Sequence, residues 1–316
     1  MTMGDGDAGG RLFPEDLDGV DPVAAVMLAD ACRSLAAYPD LVAVGPLFTA
    51  AERVSGGWQV VCPPDPLPQG ARELLADHLD DRAARLDEKA ARLGEGAAGE
   101  FRRAAAALRA GPSDTVAAAG RRFAIVRVEQ LVRTGPDGPE PPRPSDPDPR
   151  PASVPASYRR PYDLLSGEGT GSDLATAELL CQVLDAAALS GSEPSGAFLT
   201  PVALAPAFTV AERGPGVPGG PSRERRWRPV GRLHATPQRA RDSLAGYLRD
   251  VAPAVEALGE NDAAAYAEAA ELLAEEPRRN GIAVAGRRFR IVRIERITLL
   301  GPDGPEPPRP TDFDQY

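Results

Sequence analysis

Apolar residues recur at helical spacing in some stretches of this chain and in short β-prone runs in others. Asp21-Pro22 reads as an N-cap with proline at the first helical position, and Val23, Val26, Met27 and Leu35 supply the apolar stripe behind it. That helix is expected to end near Tyr38-Pro39. Two β-prone runs follow, residues 42–53 and 58–62, with Ser55-Gly56-Gly57 between them, which is the signal for a hairpin. Pro68 opens a second helix to about Arg92, with Ala71, Leu75, Leu79, Leu86 and Leu93 on one face. A third helix covers residues 97–110, and a second hairpin joins residues 115–118 to 122–131 through Gly120.

The pattern then repeats. Residues 120–144 and 286–310 agree at 18 of 25 positions, and the ten residues GPDGPEPPRP are identical in both. Upstream, LVAVGPLFTAAER (41–53) matches PVALAPAFTVAER (201–213) at 8 of 13 positions. Trp58 then aligns with Trp227, His78 with Tyr247, and Phe101 with Tyr266. In the second half a helix is expected from Asp173, carried by Leu174, Leu179, Leu180, Val183 and Leu184, and another over 262–275. Pro253 should break or kink the counterpart of the long helix. The predicted fold is α+β: two tandem copies of an α-β-β-α-α-β-β unit, with a mainly antiparallel sheet and helices on one face. The expected organisation is a flexible tail (1–20), repeat 1 (21–134), a proline-rich strap and linker (135–172), repeat 2 (173–300) and a C-terminal strap (301–316). Residues 135–155 hold nine prolines in 21, so the first strap should be extended and stiff. Each strap is expected to pack on its own repeat.

Composition narrows the function classes. A net charge of −10 and a pI near 4.9 disfavour nucleic acid and anionic membrane, because the long-range field repels phosphate. Lys89 is the only lysine among 36 basic residues, a bias that points to a GC-rich genome. Cys32, Cys62 and Cys181 show no CxxC spacing and fit a reducing compartment. The start has no basic and apolar leader pattern, so a cytoplasmic location is expected. His78 and His234 do not align, which argues against a two-histidine metal site. GEGTGS (167–172) lacks the GK[ST] ending of a phosphate loop. No cofactor or catalytic motif is read.

Several residues carry candidate chemistry. Along 122–131, Phe123, Ile125, Arg127, Glu129 and Leu131 share one strand face, and Phe289, Ile291, Arg293, Glu295 and Ile297 repeat it. Arg127 and Arg293, oriented by Glu129 and Glu295, could hold an anion. The commoner alternative is a structural ion pair at the edge of the core, and that is the reading preferred here. Arg53 and Arg213 end one strand while Trp58 and Trp227 open the next, so a guanidinium could stack on each indole, either as a contact surface or as a packed hairpin end. RERRWR (223–228) is the one dense basic cluster, and a solvated loop is its simpler reading. The PxxP spacings of GPDGPEPPRP allow a polyproline ligand.

The strand-turn-strand around GRRFAIVRVE, the tails GPDGPEPPRPSD and GPDGPEPPRPTD, and the GPLFTAAER and GGWQVV hairpin resemble an actinobacterial family of proteins with no assigned function. The resemblance lends no mechanism. The expected function is a non-catalytic protein-interaction or adaptor role with an unidentified protein partner; the alternative is a small-ligand binder or enzyme with its site in the cleft between repeats.

Overall fold

Proline and glycine set the ends of most elements. The computed structural model describes residues 22–90, 96–149, 164–165, 198, 200–214 and 226–312. Its elements are α1 (Pro22–Ala37), β1 (Asp40–Val54), β2 (Gly57–Val60), α2 (Pro68–Ala90), α3 (Ala97–Ala110), β3 (Thr115–Ala118), β4 (Arg121–Gly135), β5 (Gly138–Pro139), β6 (Leu164–Leu165) and β7 (Thr200–Arg213). They continue with β8 (Arg228–Pro229), α4 (Pro237–Gly246), a π-helical turn (Tyr247–Val251), α5 (Ala252–Val255), α6 (Glu260–Glu275), β9 (Gly281–Val284), β10 (Arg287–Gly301) and β11 (Gly304–Pro305). The helix expected from Asp173, the GEGTGS run, Leu93 and Arg223 to Arg225 lie outside the described residues.

Local chemistry explains these boundaries. Thr236 caps α4 by accepting from the Arg239 N–H at 3.3 Å, and Pro237 follows at N1. Pro253 lacks an N–H and its ring crowds the carbonyl four residues back. A π turn (Tyr247–Val251) stands just before it, between the ten-residue α4 and the four-residue α5, whereas α2 runs unbroken for 23 residues. Hairpin β3–β4 turns at Ala119 (φ 50°) and Gly120 (φ 73°), and β9–β10 turns at Ala285 (φ 47°) and Gly286 (φ 75°). Two consecutive left-handed residues are what a tight two-residue hairpin turn requires.

The chain divides into two units that are not contiguous in sequence. One gathers Met1–Leu41, Arg133–Ala152 and Phe208–Arg293; the other gathers Val42–Val132, Ser153–Ala207 and Ile294–Tyr316. In the unit containing α2 and α3, both helices cover one sheet face, where Phe48, Leu75, Leu79, Phe101, Leu108, Phe123 and Ile125 form the core. Its opposite face buries Trp58, Val60, Ala124, Val126, Val128, Leu165, Val202 and Leu204. The alternation read along β4 is therefore real, and both of its faces are covered. In the unit containing α4 and α6, Phe208, Leu244, Leu248, Tyr266, Leu273, Phe289 and Ile291 make a helix-on-sheet core. The pairings β1–β2, β3–β4 and β9–β10 are antiparallel, and β4 meets β10 through Leu131↔Glu295, Gln130↔Arg296 and Glu129↔Ile297.

Candidate functional site

The residues singled out on β4 and β10 meet the proline-rich straps. Beyond the short β4–β10 register the two strands leave backbone groups for a third segment, and a strap supplies it. In one unit the Arg127 N–H donates to the Glu306 carbonyl at 2.8 Å, while the Glu306 N–H donates to Leu299 at 2.8 Å. In the other, the Arg293 N–H donates to the Glu140 carbonyl at 2.9 Å and the Glu140 N–H donates to Arg133 at 2.8 Å. Each strap thus continues the sheet as a wedge between a strand of its own half and one of the other half. Each strap therefore meets a strand of its own half and, beyond what the sequence led us to expect, a strand of the other half as well. Sheet hydrogen bonding asks only for an available edge, and here the edge comes from both halves.

Side chains lock the wedges. The Arg127 guanidinium donates from Nε to Asp312 at 2.8 Å and also pairs with Glu129. Arg293 donates from Nε to both oxygens of Asp146 at 3.1 Å. Both arginines are buried, as are Asp146 and the Asp312 side chain. Burial by itself would lower the Arg127 pKa, but the Glu129 and Asp312 carboxylates more than offset it and hold the guanidinium above its ordinary value. Within each strap the same clasp recurs: Arg309 donates to Glu306 at 2.7 Å and Arg143 to Glu140 at 2.6 Å. The backbone N–H of each of these arginines donates to the aspartate three residues on, at 2.7 Å in both cases. Arg127 and Arg293 therefore sit in buried ion-pair networks.

The tryptophans meet the straps too. A Cβ placed on Gly304 would lie 2.7 Å from the Trp58 ring, and one on Gly138 would lie 2.2 Å from Trp227 Nε1. Both glycines also have positive φ, 140° and 111°. Only glycine satisfies both the turn and the close approach of an indole. The Arg53 guanidinium lies 5.5 Å from the Trp58 ring centroid, as the hairpin register Arg53↔Trp58 dictates. Over Trp227 the guanidinium of Arg290 stands at 5.1 Å, and Arg290 also donates to the Pro139 carbonyl at 2.9 Å. Arg213 is half-buried at the end of β7, and Glu295 is half-buried beside Arg293 on β10.

Other polar clusters went unread in the sequence. Arg287 donates to Glu212, Glu256, Tyr266 and Tyr247 at 2.7–3.3 Å. The counterpart carboxylate in the first half, Glu52, accepts from Arg82 and Arg121. The only advance signal was the paired Glu-Arg ending of each long strand. Burial, together with the nearby Asp77 charge, pushes the Cys62 thiol up to about 12, which makes it inert as a thiolate. Burial and neighbouring arginines lower both histidines, and their Nε2 atoms are buried without a hydrogen-bond partner. Among the described residues no group of three metal-ligating side chains comes together.

Fold and site together define an α+β protein in which residues of a twice-occurring sequence motif hold its own proline-rich segments. The chain belongs to the Family of unknown function (DUF5954), whose model matches residues 21–315. No curated protein and no solved structure matches it. No helix among the described residues is long and apolar enough to cross a membrane.

Proposed function

We propose that this chain is a non-catalytic protein-interaction or adaptor protein of the cytoplasm, built from two copies of one α+β unit. One observation carries the reading. Trp58, Trp227, Arg127 and Arg293, the residues with the most binding potential, are all committed to a proline-rich, acidic peptide segment. Aromatic contact, backbone pairing at a sheet edge and arginine–carboxylate bonds are the means by which interaction domains read peptides. The same commitment withdraws support from a free anion site at Arg127 or Arg293. Val26 and Met27 on α1, each more than half exposed (56% and 57%), offer apolar surface to a protein partner.

A second reading, a small-ligand binder or enzyme, is favoured by the Arg287, Glu212, Glu256, Tyr247 and Tyr266 cluster beside the π-helical turn, since such turns recur at functional sites. Affinity capture by the tagged full chain, with mass spectrometry of retained proteins and small molecules, separates the two. The interaction reading expects a protein captured in stoichiometric amount and lost on Val26→Glu with Met27→Glu. A stoichiometric small molecule lost on Tyr247→Phe, with no protein retained, overturns it.

A further inference from the structure

The β4–β10 junction is built like the interface of a symmetric dimer. Gln130 and Arg296 occupy equivalent places in the two copies of the repeated sequence, and they stand directly opposite one another in the register. Glu129, equivalent to Glu295, faces Ile297; Glu295 faces Leu131, the equivalent of Ile297. The supporting bonds obey the same rule. Gln130 Nε2 donates to the Gly45 carbonyl at 3.1 Å, and Arg296 Nε to the Ala205 carbonyl at 2.8 Å, where Gly45 and Ala205 align in the repeat. Contacts in which position i meets j and j meets i are the mark of an isologous, self-complementary surface. The straps follow suit, because strap 1 completes a site containing Arg293 and strap 2 completes a site containing Arg127.

We infer that the partner this surface fits is a second copy of the chain, the first half of one molecule pairing with the second half of the other. Every bond across the junction then forms between molecules as it does within one: Arg293 takes Asp146, and Arg127 takes Asp312, from the partner copy. No new contact is needed. The two forms differ only in connectivity, so concentration during folding decides between them. The intramolecular form has the advantage of a tethered encounter, and crowded or concentrated refolding offsets it. This inference does not depend on the adaptor reading, which concerns a different protein and a different surface.

Charge reversal tests it in the full chain. One variant carries Arg293→Asp and another Asp146→Arg. Each alone places like charges at the buried site. In the exchanged dimer of the two, both sites hold an opposite-charge pair, one of them the original Arg293–Asp146 pair and the other its reversal. The expected result, after refolding the variants together at high concentration, is a species of twice the 33.2 kDa chain mass that contains both variants. It should exceed the dimer formed by either variant alone by about tenfold or more, as a restored buried pair would demand. Wild-type chains bearing two different affinity tags provide the second measurement, because they need no altered residue. Refolded together at high concentration they should co-purify as mixed-tag dimers, which persist on dilution and scramble only after renewed unfolding. Mixed tags absent at every concentration, or mixed dimers that form without unfolding, overturn the proposal.

Discussion

The two strap sites share a backbone and differ in their support. In both, a strap glutamate is wedged between β4 and β10, a buried arginine takes the strap aspartate, and an indole covers a positive-φ glycine. At strap 2 the added support comes from Glu129, which pairs with Arg127 and lies 3.5 Å from the Arg309 guanidinium. At strap 1 it comes from α1: the Ser34 hydroxyl donates to Glu140 at 2.6 Å, and Asp30 accepts from the Ser145 N–H at 2.7 Å. Arg241 adds an ion pair with Asp148 further along strap 1. The backbone wedge and the arginine–aspartate pair are therefore the common requirement, and the surrounding carboxylate or hydroxyl is replaceable.

The sharpest way to break this comparison is to remove the common element. Arg127→Ala and Arg293→Ala each strand buried carboxylates, so each should cost about 3–5 kcal/mol in urea unfolding. Equal losses support one shared design; a loss within about 1 kcal/mol at either site would mean that its pair is solvent-like. Glu129→Ala should also lower the melting temperature clearly, because it removes one of the carboxylates paired with the buried Arg127 guanidinium.

The tryptophans should separate the sites. Trp58 is 4% exposed and part of a buried core face, so Trp58→Ala should cost about 3–5 kcal/mol. Trp227 is only half-buried, and its removal should cost visibly less in the same assay. A reversed order would show that burial does not set the loss at these two sites.

Smaller still is the site-specific support. Ser34→Ala deletes a hydroxyl bond found only at strap 1 and should cost about 1 kcal/mol. Amide exchange should quicken at Ser145 and Asp146 but not at Glu306. Equal quickening at both straps would contradict their local independence.

The smallest effect is pH-dependent. His78 and His234 have folded pKa values below their unfolded 6.5, with burial as the leading cause. The unfolded chain thus binds more protons as pH falls, so their contribution is fully present above 6.5 and is lost progressively below it. Thermal melts between neutral pH and pH 5 should show a falling melting temperature, flattened by His78→Gln. An unchanged slope in that variant would assign the effect to other groups.

How much of this was legible in advance depends on the range of the forces involved. The hairpins at Gly120 and Gly286, the helix starts at Pro68 and Pro237, and the interruption near Pro253 follow from backbone chemistry a few residues long, and the sequence determined them. So did the alternation that places Phe123, Ile125, Arg127 and Glu129 on one face of β4. It also flagged Arg127, Arg293, Trp58 and Trp227 as a set, because the duplicated motif marks each twice. What those residues hold was decided only in the tertiary structure. The two straps carry the same ten residues and the two strand edges carry nearly the same motif, so no local pattern states which strap enters which edge. That choice rests on where β4 and β10 diverge and leave N–H and carbonyl groups to be paired, a property of two strands far apart in sequence. The supports from Ser34, Asp30 and Arg241 are of the same kind, since each is joined to its strap partner by a contact that only the folded chain makes.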